Sequence, residues 1–181
     1  MNIEKIIARD LSEAWFLCLR KTLTEGYEYK IERGSYSGQR RKELDFVVVQ
    51  IKNPGTRPLV PDVPQGVPSP TSTEYIEKYL PYLMTAHKAE GEQYTYGQYL
   101  EKQISEVIDT RIRDNKLHFV VYFRSWDLWA GFPSNLAAIQ LLKEYMSSEI
   151  GVGDGEIIAM SKGMHLYEYS WDLARATARV S

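Results

Sequence analysis

Cysteine is almost missing from this 181-residue sequence: Cys18 stands alone, so no disulfide can close within the chain and a reducing compartment is the expected setting. Histidine is scarce as well, three in all and none in the first eighty residues. Cys18 therefore has no nearby base in sequence and reads as a small core side chain, not a nucleophile. A surplus of one charge is also absent. Lys plus Arg number 22 against 24 Asp plus Glu, without the basic excess that nucleic acid or an anionic membrane selects. Any anion site must be local. No apolar run approaches the roughly 20 residues that cross a bilayer, and the opening M-N-I-E-K-I-I-A-R-D breaks its apolar residues with charge. The expectation is a cytoplasmic protein, one domain over residues 1–181, with no membrane, nucleic-acid or metal partner.

What is present is aromatic and periodic. Thirteen tyrosines and four tryptophans suit a flat-ring pocket, although core packing uses the same residues. Ile3, Ile7, Leu11, Ala14 and Cys18 recur at steps of four and three, which predicts a first helix running to about Leu23. A glycine and serine loop, E-R-G-S-Y-S-G-Q-R-R-K-E, carries Arg40 and Arg41 and leads into the strand L-D-F-V-V-V-Q-I. Freed amides and guanidinium forks can grip a phosphate; a solvated turn before a strand is the simpler reading. From Asn53 to Pro70 prolines and glycines mark an extended surface connection. Thr71 with Glu74 forms a capping box for a helix through Tyr75, Ile76, Tyr79 and Leu80, kinked at Pro81. Leu100, Ile104, Val107 and Ile108 keep helical spacing. Then Ile108, Thr110 and Ile112 alternate as a strand, Asp114-Asn115 reads as a hairpin turn, and Leu117 to Phe123 returns. Helix runs into strand there with no turn residue between. A helix from about Asn135 to Gly151, two strands and a last helix capped by Ser170 complete the pattern.

The densest polar stretch is R-S-W-D-L-W-A-G-F-P-S-N, Arg124 to Asn135, lying where a strand ends and a helix begins. Helix amides without internal partners make such corners suited to anions. Arg124-Ser125-x-Asp127, Gly131-x-Pro133-x-Asn135, a following helix, G-V-G-D-G and a late His165-x-Tyr167 resemble, in order and spacing, the thymidylate synthase family. The glycine-serine loop, Tyr96-Gly97 and the compact length look most like its archaeal branch.

The resemblance implies an α+β fold, a mixed sheet flanked by helices, in a homodimer whose sheets pack face to face. It implies reductive methylation of dUMP to dTMP, with methylene-tetrahydrofolate or a related methylene-pterin as co-substrate. In that reading Arg124 and Ser125 hold the 5'-phosphate, and Asn135 pairs with O4 and N3–H of uracil while supporting charge on O4. His165 and Tyr167 meet the sugar hydroxyl, Asp127 and Gly131 line the folate side, and Tyr96 lies near the reacting ring. Glu74 or Glu77 stands for the family's proton-relaying acid. A carboxylate at position 135 would point instead to pyrimidine-nucleotide hydroxymethylases. Asparagine there could equally cap the helix.

One part of the family pattern is absent. The nucleophile that attacks C6 is a cysteine after proline on the strand before the hairpin, and here the region Gln103 to Val107 holds neither that cysteine nor the expected arginine pair. Without a thiolate the covalent step has no agent. A pyrimidine-nucleotide-binding homologue without catalysis is thus the alternative to the enzyme. The helix-to-strand seam near Glu106 to Asp109 marks where a segment would be missing.

Overall fold

A computed structural model describes residues 1–34, 36–84 and 108–180. Glu106 and Val107 of the seam lie outside them, as does Tyr96, whereas Ile108 and Asp109 are described.

The first expectation fails at once. Ile3–Ala8 is a strand, β1, and the helix α1 spans only Leu11–Glu25. Ile3 and Ile7 match a helical stripe in spacing, yet both are exposed, while Ile6 and Ala8 turn inward. β1 gains a parallel ladder with Phe46–Ile51, β4, which suits its β-branched residues better than an isolated helical turn. Asp10 then ends the strand and caps α1, its carboxylate accepting the Glu13 amide at 2.9 Å. Leu11, Ala14, Trp15, Cys18, Leu19 and Leu23 form the buried stripe of α1.

The anticipated strand from Leu44 to Ile51 is two strands in two sheets. Arg40–Leu44, β3, pairs with Tyr27–Lys30, β2, whereas β4 joins the other sheet after a single bend residue, Asp45. Ile108–Arg113, β5, and Lys116–Phe123, β6, form the expected hairpin; Asp114 and Asn115 both take positive φ, +52° and +57°. Trp126–Asp127, β7, Gly153–Ser161, β8, and Met164–Tyr167, β9, follow. The first sheet runs β1-β4-β8-β6-β5 and the second β2-β3-β9-β7, both of mixed direction.

The helices α2, Thr73–Met84, α3, Gly131–Ile150, and α4, Trp171–Ala178, complete the α+β arrangement. Val47, Val49, Ile51, Leu117, Phe119, Val121, Ile157 and Ala159 alternate inward from the first sheet and are buried in one core with Leu136 and Ile139 of α3 and the α1 stripe. α2 begins after Ser72, whose hydroxyl accepts the Tyr75 amide at 3.2 Å. Thr71, expected as the cap, instead takes a hydrogen bond from Ser134 at 2.8 Å. Gly151 ends α3 with φ +79°, the left-handed conformation glycine adopts without strain. Ser170 sits at the start of α4 but spends its hydroxyl on the Tyr167 carbonyl.

A polar cluster fastens the proline-rich connection to this frame. Arg57 meets Glu144 of α3 through two hydrogen bonds, 2.9 and 2.7 Å, and fully buried Lys143 donates to Asp154 at 2.7 Å. Burial pulls the Lys143 ammonium below its ordinary pKa, against the pull of Asp154. Beside it, Gly155 lets β8 approach β6 closely: an added Cβ would stand 2.5 Å from the Leu117 carbonyl oxygen. Gly155→Ala should therefore destabilise the fold by about 2 kcal/mol or more, in the range of overpacked cores, read as a lowered denaturation midpoint.

Candidate functional site

Three strands bend from one sheet into the other at the same level. β4 continues from β3 through Asp45, β6 into β7 through Arg124 and Ser125, and β8 into β9 through Lys162 and Gly163. Neighbours in the first sheet, β4-β8-β6, become neighbours in the second, β3-β9-β7. The register of the second sheet lines up Tyr27, Glu43, His165 and Asp127 across four strands, and Tyr29, Arg41 and Tyr167 in the next same-face row. Sequence positions more than a hundred residues apart thus share one face.

Glu43 is the hub of that face. Its carboxylate accepts the hydroxyls of Tyr27 at 2.8 Å and Tyr29 at 3.1 Å, and pairs with Arg41 at 2.5 Å. Gly163, at φ +100°, makes room: a Cβ would lie 3.3 Å from the Glu43 carboxyl carbon. One Arg41 nitrogen also donates to Ser125 Oγ at 3.1 Å and lies 2.6 Å from His165 Nδ1. The guanidinium stands over the Tyr29 and Tyr167 rings.

The wall opposite is the start of α3. This helix begins at Gly131, not at Asn135, and Asp127 caps it. Asp127 Oδ1 accepts the Trp129 amide at 3.2 Å, and Oδ2 accepts those of Ala130 and Gly131, each at 3.3 Å. Burial raises the Asp127 pKa, and the three amides and Arg41 pull it back. Asn135 therefore has no capping duty. Its Oδ1 accepts from the Trp126 indole N–H at 3.1 Å and its Nδ2 donates to the Tyr79 hydroxyl at 3.1 Å. Trp126 is itself wedged between Phe123 and Phe132, with centroids 3.9 and 4.5 Å away.

These elements enclose a cleft of about 730 Å³, a size suited to a small-molecule ligand. Of the residues expected at the site, Ser125, Asp127, Gly131, Asn135, His165 and Tyr167 line it. Arg124 lies beside Ser125, exposed, and makes no hydrogen bond or ion pair among the described residues. Tyr96 lies outside the described residues. Glu74 and Glu77 are exposed and do not line the cleft; α2 turns Tyr75 and Tyr79 to it instead. That pair, four apart and stacked, was legible as one helix face. Arg40 pairs with Glu28 away from the cleft, so of the two loop arginines only Arg41 reaches the site.

Cys18 is fully buried on α1 and does not line the cleft. Burial pushes its thiol far above the ordinary range, which leaves it unreactive. Among the described residues no group of three or more His, Cys, Asp and Glu is placed to hold a metal ion, and no helix is long and apolar enough to cross a membrane.

Residues 101–179 match the family model for thymidylate synthase. A protein of Methanosarcina acetivorans named "Putative thymidylate synthase" is 30% identical over 213 positions, covering 95% of this chain and 94% of its own length. The chain belongs to the thymidylate synthase family. A relative with the same name from Methanococcoides burtonii is 29% identical over 207 positions, covering 92% and 91%. Thermostable thymidylate synthase A from Bacillus subtilis superposes with a TM-score of 0.62 at 12% identity, over 94% of this chain and 84% of its own, a likeness of fold. The Methanosarcina alignment has 213 positions but takes in only 95% of 181 residues, so about 40 of its positions have no counterpart in this thymidylate synthase homologue.

Burial, together with Arg41, pulls the His165 pKa down to about 4 from an ordinary 6.5. The unfolded chain binds a proton at pH 6.5 and below that the folded one refuses until about pH 4, so stability is full above that window and falls as pH drops through it. The loss should be on the order of 3 kcal/mol. In His165→Gln it should be absent, as read from denaturant unfolding at pH 7 and pH 4.

Proposed function

We propose that the cleft binds dUMP and that the protein takes part in its reductive methylation to dTMP, with methylene-tetrahydrofolate or a related methylene-pterin as co-substrate. One observation carries this reading. Ser125, Asn135, His165 and Tyr167, far apart in sequence, line a single cleft, and exposed Arg124 is the chain neighbour of Ser125. A guanidinium fork and a hydroxyl suit a 5'-phosphate. The Asn135 amide, after serving Trp126 and Tyr79, still offers one N–H and one oxygen lone pair, a match for O4 and N3–H of uracil. The indole N–H can only donate, so it holds the Asn135 oxygen toward Trp126 and fixes which way the pair faces. His165 and Tyr167, two apart in β9, present polar atoms to a sugar hydroxyl.

The co-substrate fits the remaining side of the cleft. Asp127 Oδ2 is filled by two amides, but Oδ1 takes one and keeps a lone pair for a ring N–H. Tyr75 and Tyr79 supply flat faces nearby. Such a pterin would deliver the one-carbon unit; the residues here bind and orient it.

A second reading, nucleotide binding without methylation, is favoured by the single buried Cys18. The addition to C6 needs a nucleophile, and this chain brings no thiol to the cleft. Titration calorimetry should show dUMP binding, weakened about 10- to 100-fold in Arg124→Ala, as loss of a charge-assisted phosphate contact implies. Tritium release from C5-labelled dUMP with the methylene-folate then decides between the two: release supports methylation, and binding without release supports the second reading. Absence of dUMP binding overturns both.

The homodimer belongs to the same reading. The face of the first sheet opposite its buried row presents half-buried Phe46, Val48, Val120, Tyr122, Ile158 and Met160. A second copy would cover this apolar face. Sedimentation should give a dimer, and Val120→Asp with Ile158→Asp a monomer; a monomeric wild type removes the proposal.

A further inference from the structure

His165 has two nitrogens and an unusual contest over one of them. Nδ1 lies 2.6 Å from the Arg41 guanidinium and 2.9 Å from the Gly163 carbonyl oxygen. The first can only donate and the second can only accept, so Nδ1 serves one of them. Two observations decide. The guanidinium contact is the shorter: Arg41 Nη2 has two hydrogens, directed at its two nearest partners, Glu43 at 2.5 Å and His165 at 2.6 Å, with Ser125 at 3.1 Å a longer, shared contact. The Gly163 oxygen already accepts the Trp126 amide at 3.1 Å, so it does not need a proton from His165. Arg41 is in turn held by Glu43 and steadied between Tyr29 and Tyr167, with little freedom to turn away. Nδ1 therefore carries the lone pair and Nε2 carries the hydrogen. Nε2 is buried and has no partner among the described residues, on a side chain that is 3% exposed and lines the cleft. A buried donor without a partner is costly. It is the kind of cost a binding site carries until its ligand arrives.

We propose that Arg41 is a positioning residue that holds His165 in the Nε2–H form, so that the cleft offers a hydrogen-bond donor to an oxygen acceptor such as the 3'-oxygen of the nucleotide. The choice of ligand rests on the dUMP reading above; the tautomer does not. The guanidinium acts from behind the cleft wall, through the imidazole.

Nitrogen-15 NMR of the imidazole in the ligand-free protein tests the tautomer directly. In the wild type His165 should show a protonated Nε2 and a bare Nδ1. Arg41→Met should move the proton to Nδ1, facing the Gly163 oxygen, and Arg41→Lys, which still donates, should restore the wild-type pattern. A wild type protonated at Nδ1, or a pattern unmoved in Arg41→Met, overturns the proposal; the wild-type spectrum decides even where the variant does not fold. In calorimetry, the wild type should prefer dUMP over 2',3'-dideoxyuridine monophosphate about 10-fold, a difference of one hydrogen bond. Arg41→Met should bring that preference close to one. A preference unchanged in Arg41→Met counts against the proposal. Failure of either nucleotide to bind, with the NMR pattern as expected, refutes the dUMP reading and leaves the Arg41 assignment standing.

Discussion

The site depends on one ion pair placed in a crease. Arg41 and Glu43 meet at 2.5 Å where three strands bend together from one sheet into the next. Neither charge is well solvated, each side chain being about one-seventh exposed, so the pair leans on further hydrogen bonds, with Arg41 Nε left buried and without a partner among the described residues. Two tyrosine hydroxyls fill the carboxylate, and Ser125 and His165 engage the guanidinium. Gly163 is the backbone concession that admits the carboxylate. The polar groups that face the cleft are thereby fixed in orientation before any ligand enters, which is what a recognition site requires.

The second wall is organised by a different economy of donors. An asparagine four residues into α3 looked, in sequence, like its cap. Asp127 does that work with both oxygens, which leaves the Asn135 amide to Trp126 and Tyr79. The start of α3 is consequently already occupied by a carboxylate. This separates the roles of neighbouring residues in one short motif: the Asp127 carboxylate holds the helix start and the Asn135 amide joins Trp126 to Tyr79 at the cleft wall.

Membership of the thymidylate synthase family and the lack of a cleft thiol stand together. The relatives carry about 40 alignment positions with no residue here, and the chain's one cysteine is sealed under α1. The motif residues Ser125, Asp127, Asn135, His165 and Tyr167 line one cleft, and no cysteine joins them there.

Much of this was legible beforehand. The hairpin at Asp114-Asn115, the strands β6, β8 and β9, and the glycine end of α3 follow from local chemistry, because turns, alternation and left-handed caps are decided by a few adjacent residues. The motif residues were legible through spacing and kind. The errors arose where local signals were degenerate. Ile3 and Ile7 fit a helix by spacing, and only the ladder to β4 made them a strand. Leu44 and Phe46 read as one strand, and only the bend at Asp45 divided them between sheets. Arg41 read as part of a solvated turn, since nothing within ten residues reveals that His165 lies across the strand from Glu43. The order and spacing of the motif residues carried the resemblance to the family and named the kinds of groups at the site; the meeting of those groups, and the orientation each was left free to offer, were decided by strand register, which is a property of long-range pairing and not of any single segment.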